Sequence, residues 1–332
     1  MFDPKAGEPI DLGVGASGIV LRHVFEPEDV NAVQAALLAK RPLLLRGEPG
    51  VGKSQLALAA AIVMRRAFYP MVVDARSEAR DLKWHEDVVA RLADAQLIGG
   101  MGNSSEAKAL RAGIDLINYV APGPLWWGFN WGDALRQAGI SNSPVPKLLE
   151  GCGSANGVVV LIDEIDKAES ELPNGLLEAL GSREFTPNGR AEPVQASNWP
   201  LIVVTTNEER RLPDAFLRRC VVHDMRMPSD EEGFQKRMIE RGRAYFGPKD
   251  ANKVSIEAWE KKVLPILVEA AEQTWEDRLS CKEKRLSPLP GQAEYLDLLR
   301  AVFADDGNAD DTPTDRLNRL SRYFLKKHPE IG

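Results

Sequence analysis

Cysteine is scarce in this chain. Cys152, Cys220 and Cys281 are the only three in 332 residues, and no two stand in a C-x-x-C spacing. That excludes a disulfide scaffold and a thiolate zinc site, and it predicts free thiols in a reducing compartment, hence a cytoplasmic protein. The four histidines are as scattered, and His85-Glu86 has no second histidine four residues on, so a zinc-protease helix is excluded. No apolar run approaches the roughly 20 residues that span a bilayer, and the opening Met1-Phe2-Asp3-Pro4-Lys5 has no signal-peptide pattern. An excess of positive charge is missing too: 49 acidic residues face 42 basic ones, for a net charge of −7. A surface given over to nucleic acid is therefore disfavoured, although local basic patches are compatible with that balance. Internal repeats and long low-complexity tracts are absent.

What is present belongs to a globular protein, with 44% hydrophobic and 27% charged residues. The length suits one large domain or two ordinary ones. The most informative stretch is Gly47-Glu48-Pro49-Gly50-Val51-Gly52-Lys53-Ser54, which fits the phosphate-cradling pattern G-x-x-x-x-G-K-[ST] at every fixed position. Pro42-Leu43-Leu44-Leu45 before it reads as a buried strand, and residues 55–63 after it, starting at Gln55, read as a helix. Glycines permit the backbone angles of such a loop, and its N–H groups together with the helix N-terminus favour an anion. Lys53 would reach the β- and γ-phosphates of ATP, and Ser54 would ligate Mg²⁺.

Gly157-Val158-Val159-Val160-Leu161-Ile162 is the clearest strand, a β-branched run without alternation that suits a parallel strand covered on both faces. It ends in Asp163-Glu164. An acidic pair there, after a full phosphate loop, assigns Asp163 to the Mg²⁺ shell and Glu164 to the attacking water as general base. A further buried strand, Leu201-Ile202-Val203-Val204-Thr205-Thr206, ends at Asn207, a polar side chain that could orient that water. Arg218-Arg219 precedes a fifth strand over residues 220–225. Paired arginines there are surface salt-bridge partners or arginine fingers donating charge to a phosphate on a neighbouring subunit.

The remaining segments are read more coarsely. Residues 1–25 look irregular, a helix opens at Glu28-Asp29, and a second strand covers 69–74. Residues 75–156 form a less regular insertion holding four of the seven tryptophans, with a helix over 88–97 broken at Gly99-Gly100-Met101-Gly102-Asn103. The tryptophans read either as a local core or as a face turned to a partner or pore. A helix follows Pro173, and a hairpin begins at Glu184. From residue 228 onward the patterning is helical, with helices around 230–245, 255–278 and 292–303, a loop over 304–314, and a last helix capped by Thr314-Asp315 and running to about Lys327. Strands alternating with helices predict an α/β fold with a parallel sheet. We place the first domain at residues 1–227 and a smaller all-helical domain at 228–332.

The motif order Gly47 to Ser54, Asp163-Glu164, Asn207, Arg218-Arg219, then an all-helical end, resembles an AAA+ ATPase. Pro122-Gly123-Pro124-Leu125-Trp126, Asn174-Gly175-Leu176-Leu177-Glu178-Ala179-Leu180, and Leu212-Pro213-Asp214-Ala215-Phe216-Leu217-Arg218-Arg219 resemble the MoxR-like branch. The resemblance implies a P-loop sheet sandwiched by helices with a helical lid, and a homo-oligomer, a hexameric ring with Mg·ATP between subunits. It implies Asn207 as sensor 1 and Arg219, beside Arg218, as arginine finger. The family's sensor-2 arginine follows a Ser-Pro pair, whereas Leu289 follows Ser287-Pro288 here, so that role falls to Arg285 or Lys284, or is absent. MoxR-like ATPases remodel proteins in a chaperone-like way, often with a von Willebrand A domain partner, and some relatives look like parts of bacterial defence systems. On that reading, residues from about 75–131 and 184–199 grip the partner. Competing readings are a DNA-acting motor or loader, touching phosphates through Arg183, Arg190 and Lys326-Lys327, and a nucleotide-gated scaffold in which hydrolysis is incidental.

Overall fold

A computed structural model describes residues 2–15, 20–100, 115–248, 253–304 and 312–326. In chain order it shows β1 (Pro9–Val14), β2 (Val20–Val24), α1 (Pro27–Ala39), β3 (Leu43–Arg46), α2 (Lys53–Val63), β4 (Arg66–Val72), β5 (Trp84–Glu86) and α3 (Val88–Gly100). Then come β6 (Val120–Pro122), α4 (Pro124–Phe129), α5 (Trp131–Ile140), β7 (Gly153–Asp163), α6 (Glu171–Ser182), β8 (Glu184–Phe185), β9 (Val194–Gln195), β10 (Leu201–Thr206), α7 (Asp214–Leu217) and β11 (Val221–Asp224). Five helices follow: α8 (Glu231–Phe246), α9 (Lys253–Lys262), α10 (Leu264–Glu283), α11 (Gln292–Phe303) and α12 (Pro313–Phe324).

Two compact units divide the chain. One takes in the residues up to Pro4, Pro27–Arg46 and Leu56–Asp224; the other takes Lys5–Glu26, Gly47–Gln55 and the chain from Met225 on.

The first unit is built on a five-stranded parallel sheet of order β11-β3-β10-β7-β4. Val158 to Ile162 of β7 and all six residues of β10 are buried, as continuous apolar runs covered on both faces require. Edge strand β4 starts at Arg66, earlier than the sequence suggests, and accommodates Pro70, as an edge position allows. Four of the tryptophans lie in this unit's core region. Trp126 and Trp127 are fully buried, Trp84 stacks on Phe185 of β8 at 5.8 Å, and Trp131 meets Trp127 at 4.8 Å. The local-core reading of these tryptophans is therefore the one observed. The antiparallel pair β5·β6 brackets α3, whose Val88, Val89, Leu92 and Leu97 are exposed.

The second unit combines the antiparallel hairpin β1·β2, the loop at 47–55 and helices α8 to α12. Several expectations are corrected. Residues 9–14 and 20–24 pair as antiparallel strands rather than lying in an irregular segment; a register shift between Asp11 and Gly13 interrupts the alternation that would have revealed them. The single helix expected over 255–278 is two, because Pro265 cannot donate to a preceding turn and instead starts α10. The last helix is capped by Thr312, whose Oγ1 accepts from the Asp315 N–H at 3.2 Å, and not by Thr314. In the first unit, α6 begins at Glu171, since Pro173 is tolerated in a first turn. Helix α3 runs on through Gly99 and Gly100. The rest of that expected break, most of the 304–314 loop, and Lys327 lie outside the described residues.

Candidate functional site

The C-terminal ends of adjacent strands β7 and β10 gather the acidic half of the site. The register sets Val204 beside Ile162, so Thr205 comes level with Asp163, and Asn207 follows one residue past the end of β10. The fully buried Thr205 hydroxyl donates to Asp163 Oδ1 at 2.5 Å and accepts from the Glu164 N–H at 2.9 Å. One side chain thus fixes both acids. Glu164 sits in the left-handed region at φ 61°, ψ 47°, a conformation non-glycine residues rarely hold and one that costs roughly 1–3 kcal/mol. Its carboxylate accepts from Lys167 Nζ at 2.5 Å, and that hydrogen bond raises the lysine's pKa above its ordinary value. Asp166, also buried, accepts from the Glu209 N–H at 2.9 Å and ties the turn after β7 to the segment after β10.

The phosphate loop follows β3 in the chain and, with the first residues of α2, belongs to the second unit. Lys53 is buried, and its ammonium donates to the Gly47 and Glu48 carbonyls at 2.8 and 2.9 Å. Gly50 has φ +80°, and a Cβ there would lie 2.7 Å from the Ala293 Cβ of α11, so neither the backbone angle nor the space admits another residue. At Gly52, φ +98°, a Cβ would meet the Gln292 Nε2 at 3.7 Å. Gln292, the first residue of α11, is buried, and its Oε1 has no hydrogen-bond partner among the described residues. Glu48 accepts from Arg278 Nη2 through both carboxylate oxygens, at 2.6 and 2.8 Å. Val51 is buried, while Pro49, Ser54 and Gln55 are more open. Arg285 lies exposed in the turn after α10, with φ 56°, beside the C-capping Lys284.

Arg218 and Arg219 occupy the opposite edge of the sheet, before the start of β11. From Asp163, Arg219 lies three strand spacings across and four residue rises along, about 20 Å by ordinary sheet geometry. Arg219 lines a cleft of about 520 Å³ together with Lys40, Arg41, Asn174, Glu178 and Trp199. Asp163, Glu164 and Asn207 are thus brought together within the first unit, and the two arginines are held apart from them.

The AAA domain family, dynein-related subfamily, matches residues 42–220, more than half of the chain. The chain belongs to that family. As an AAA protein it binds nucleotide and is an ATP hydrolase. It is similar to a solved structure of a candidate ATPase from Cytophaga hutchinsonii, at 14% identity and a TM-score of 0.37 over 89% of this chain and 80% of that one. It is also similar to PCH-2 of C. elegans, at 17% identity and a TM-score of 0.40, over 89% of this chain and 66% of that one. Among curated proteins no significant match is found.

Sequence reasoning about this AAA protein missed Thr205, Asp166, Lys167, Gln292 and Arg278. Two of these left a signal. Thr205-Thr206 is a polar pair closing an otherwise apolar strand. Arg278 interrupts the buried stripe of α10 formed by Leu267, Ala270, Ala271, Thr274 and Cys281. Among the described residues no group of three or more His, Cys, Asp or Glu gathers to hold a metal. Magnesium in phosphoryl-transfer sites takes one or two protein oxygens and fills its shell with phosphate and water, so a hydroxyl and a carboxylate suit it as donors. No described helix is long and apolar enough to cross a membrane.

Proposed function

We propose that this protein is a MoxR-like AAA+ ATPase, a homo-oligomeric, hexameric ring hydrolysing Mg·ATP between subunits to remodel a protein partner. The observation that carries this reading is the pairing of Asp163, Glu164 and Asn207 on two neighbouring strand ends with an arginine pair about 20 Å away, beyond any side chain's reach. In this reading the backbone of Gly47, Glu48, Pro49, Gly50, Val51, Gly52, Lys53, Ser54 and Gln55, with the Lys53 ammonium, holds the phosphates. Ser54 and Asp163 hold Mg²⁺, which neutralises charge on the phosphates when bound. Glu164 takes a proton from water; the water oxygen bonds to the γ-phosphorus as the bond to the β–γ bridging oxygen breaks and ADP leaves. Asn207 orients that water. Arg219, aided by Arg218, stabilises the charge from the next subunit, a contribution of about 10³–10⁵ in rate for known fingers.

Helix α3 supports a protein partner: its Val88, Val89, Leu92 and Leu97 are large apolar side chains exposed on the insertion. A von Willebrand A domain protein and a place in a bacterial defence system fit the same reading. A DNA-acting role finds less support, because Arg190 is bonded to buried Asp133 at 2.6 and 3.0 Å, and Arg183 stacks on Trp199. The test mixes Arg219→Ala with Glu164→Gln subunits. Each alone should be nearly inactive, and mixtures should regain activity through sites built from one intact acid and one intact arginine. Normal turnover by Arg219→Ala alone refutes the finger.

A further inference from the structure

Glu48 poses an electrostatic problem. It places a carboxylate in the loop whose backbone is assigned to a triphosphate, where an unpaired negative charge repels the ligand. The structure supplies the answer within one unit. Arg278, on the buried stripe of α10 and only 1% exposed, donates through Nη2 to both Glu48 oxygens at 2.6 and 2.8 Å. Its Nη1 donates to the Pro290 carbonyl at 2.9 Å, and its guanidinium lies over the Phe234 ring at 5.6 Å. The arginine is thus anchored on three sides, whereas Glu48 remains 42% exposed. A buried guanidinium is costly without a partner, so the pair is held in place by the cost of parting it.

We propose that Arg278 is the counter-charge of the phosphate loop. It neutralises Glu48 so that the loop accepts a nucleotide, and through it helix α10 sets nucleotide affinity. This rests on the assignment of residues 47–55 to ATP phosphates made above. The close fit of Gly50 against Ala293 keeps the same loop seated on α11, so the loop's position does not depend on the ion pair alone. Charge and position can therefore be separated by experiment.

The discriminating measurement is ATPγS binding by titration calorimetry to the full chain, in low and high salt, with thermal melts as the check on folding. Removing the cation with Arg278→Met leaves Glu48 facing the phosphates and should weaken binding by about tenfold, equivalent to ~1.4 kcal/mol. Glu48→Gln leaves the cation in place and should bind as tightly as the native protein or more tightly, with the gain shrinking in high salt. The double variant should return near to native affinity. A loop clamp without the charge effect predicts that both single variants weaken binding, so weaker binding by Glu48→Gln overturns the proposal. Should Arg278→Met fail to fold, Glu48→Gln still decides, and Arg278→Lys, which keeps the charge, should stay within about threefold of native affinity. A native protein that binds no ATPγS refutes the assignment of the loop, not the role of Arg278.

Discussion

Thr205→Val isolates the contact on which the acidic half of the site is built. Valine keeps the shape of threonine but removes the hydroxyl, so the buried strand is neither over- nor under-filled. Two hydrogen bonds vanish, the 2.5 Å donation to Asp163 and the 2.9 Å acceptance from the Glu164 N–H. The first goes to a carboxylate and is worth about 1.5–3 kcal/mol; the second leaves a peptide N–H unpaired at a residue already in a left-handed conformation, at about 1–3 kcal/mol. Because the two share one atom they do not add, and a combined loss of about 2–4 kcal/mol is expected. If roughly half falls on the transition state, kcat drops about 5- to 30-fold. The assay is phosphate release across ATP and Mg²⁺ concentrations. KM for ATP should change little, since the Thr205 hydroxyl bonds to the two acidic residues, while more Mg²⁺ should be needed for half-maximal rate. Thr205→Ser restores the hydroxyl and should recover most of kcat. A folded Thr205→Val protein with kcat within twofold of native would refute the argument.

Two further perturbations test the packing around the site. Asp133, 7% exposed, accepts from Trp126 Nε1, Arg136 and Arg190, which ties α5 to the segment after β8. Burial by itself would raise its pKa, but the bonds from Arg190, Trp126 and Arg136 outweigh that and hold it below the ordinary carboxylate value. Its stabilisation is therefore complete above the unfolded-state pKa near 4 and is lost as pH falls through the lower folded value. Asp133→Asn should cost about 2–3 kcal/mol in denaturant melts at pH 7, with the gap to native closing only below about pH 4. For the thiols, burial pushes Cys220 up to about 12 and raises Cys152 and Cys281 as well. Half-buried Cys152 should be the first labelled by a disulfide reagent at pH 8, with Cys220 and Cys281 labelled only on unfolding; prompt native labelling of Cys220 would contradict its placement.

Sequence pattern revealed most of the sheet and little of what braces the site. Strands β7 and β10 were legible because unbroken β-branched runs have few other uses, and the phosphate loop because its glycines and Lys53 are fixed by backbone angle and charge. The β1·β2 hairpin was hidden by its bulge, and the break before α10 by helical periodicity that continues across Pro265. Thr205 could be read as a strand residue but not as a bridge, because its two partners come from a strand about 40 residues earlier in the chain. Arg278 lies 230 positions from Glu48. Such contacts follow from register and helix docking, which local composition does not encode.

The direction of the strands bears on how copies must meet if Arg219 acts on ATP. In a parallel sheet every strand ends on one edge and begins on the other. The segments after β7 and β10 therefore carry Asp163, Glu164 and Asn207 together, while those before β3, β10 and β11 bring Arg41, Trp199 and Arg219 to one cleft on the far edge. A two-fold dimer can bring the two edges together only if both lie on one self-complementary patch, where residue i of one copy meets residue j of the other and j meets i. A head-to-tail contact puts the arginine edge of one copy on the acid edge of the next without that condition, and it closes into a ring when the rotation between copies closes. Either way, an arginine finger acting on ATP in trans requires an oligomer. A particle that is strictly a monomer at saturating ATP, yet loses turnover on Arg219→Ala, would show that Arg219 acts within its own subunit.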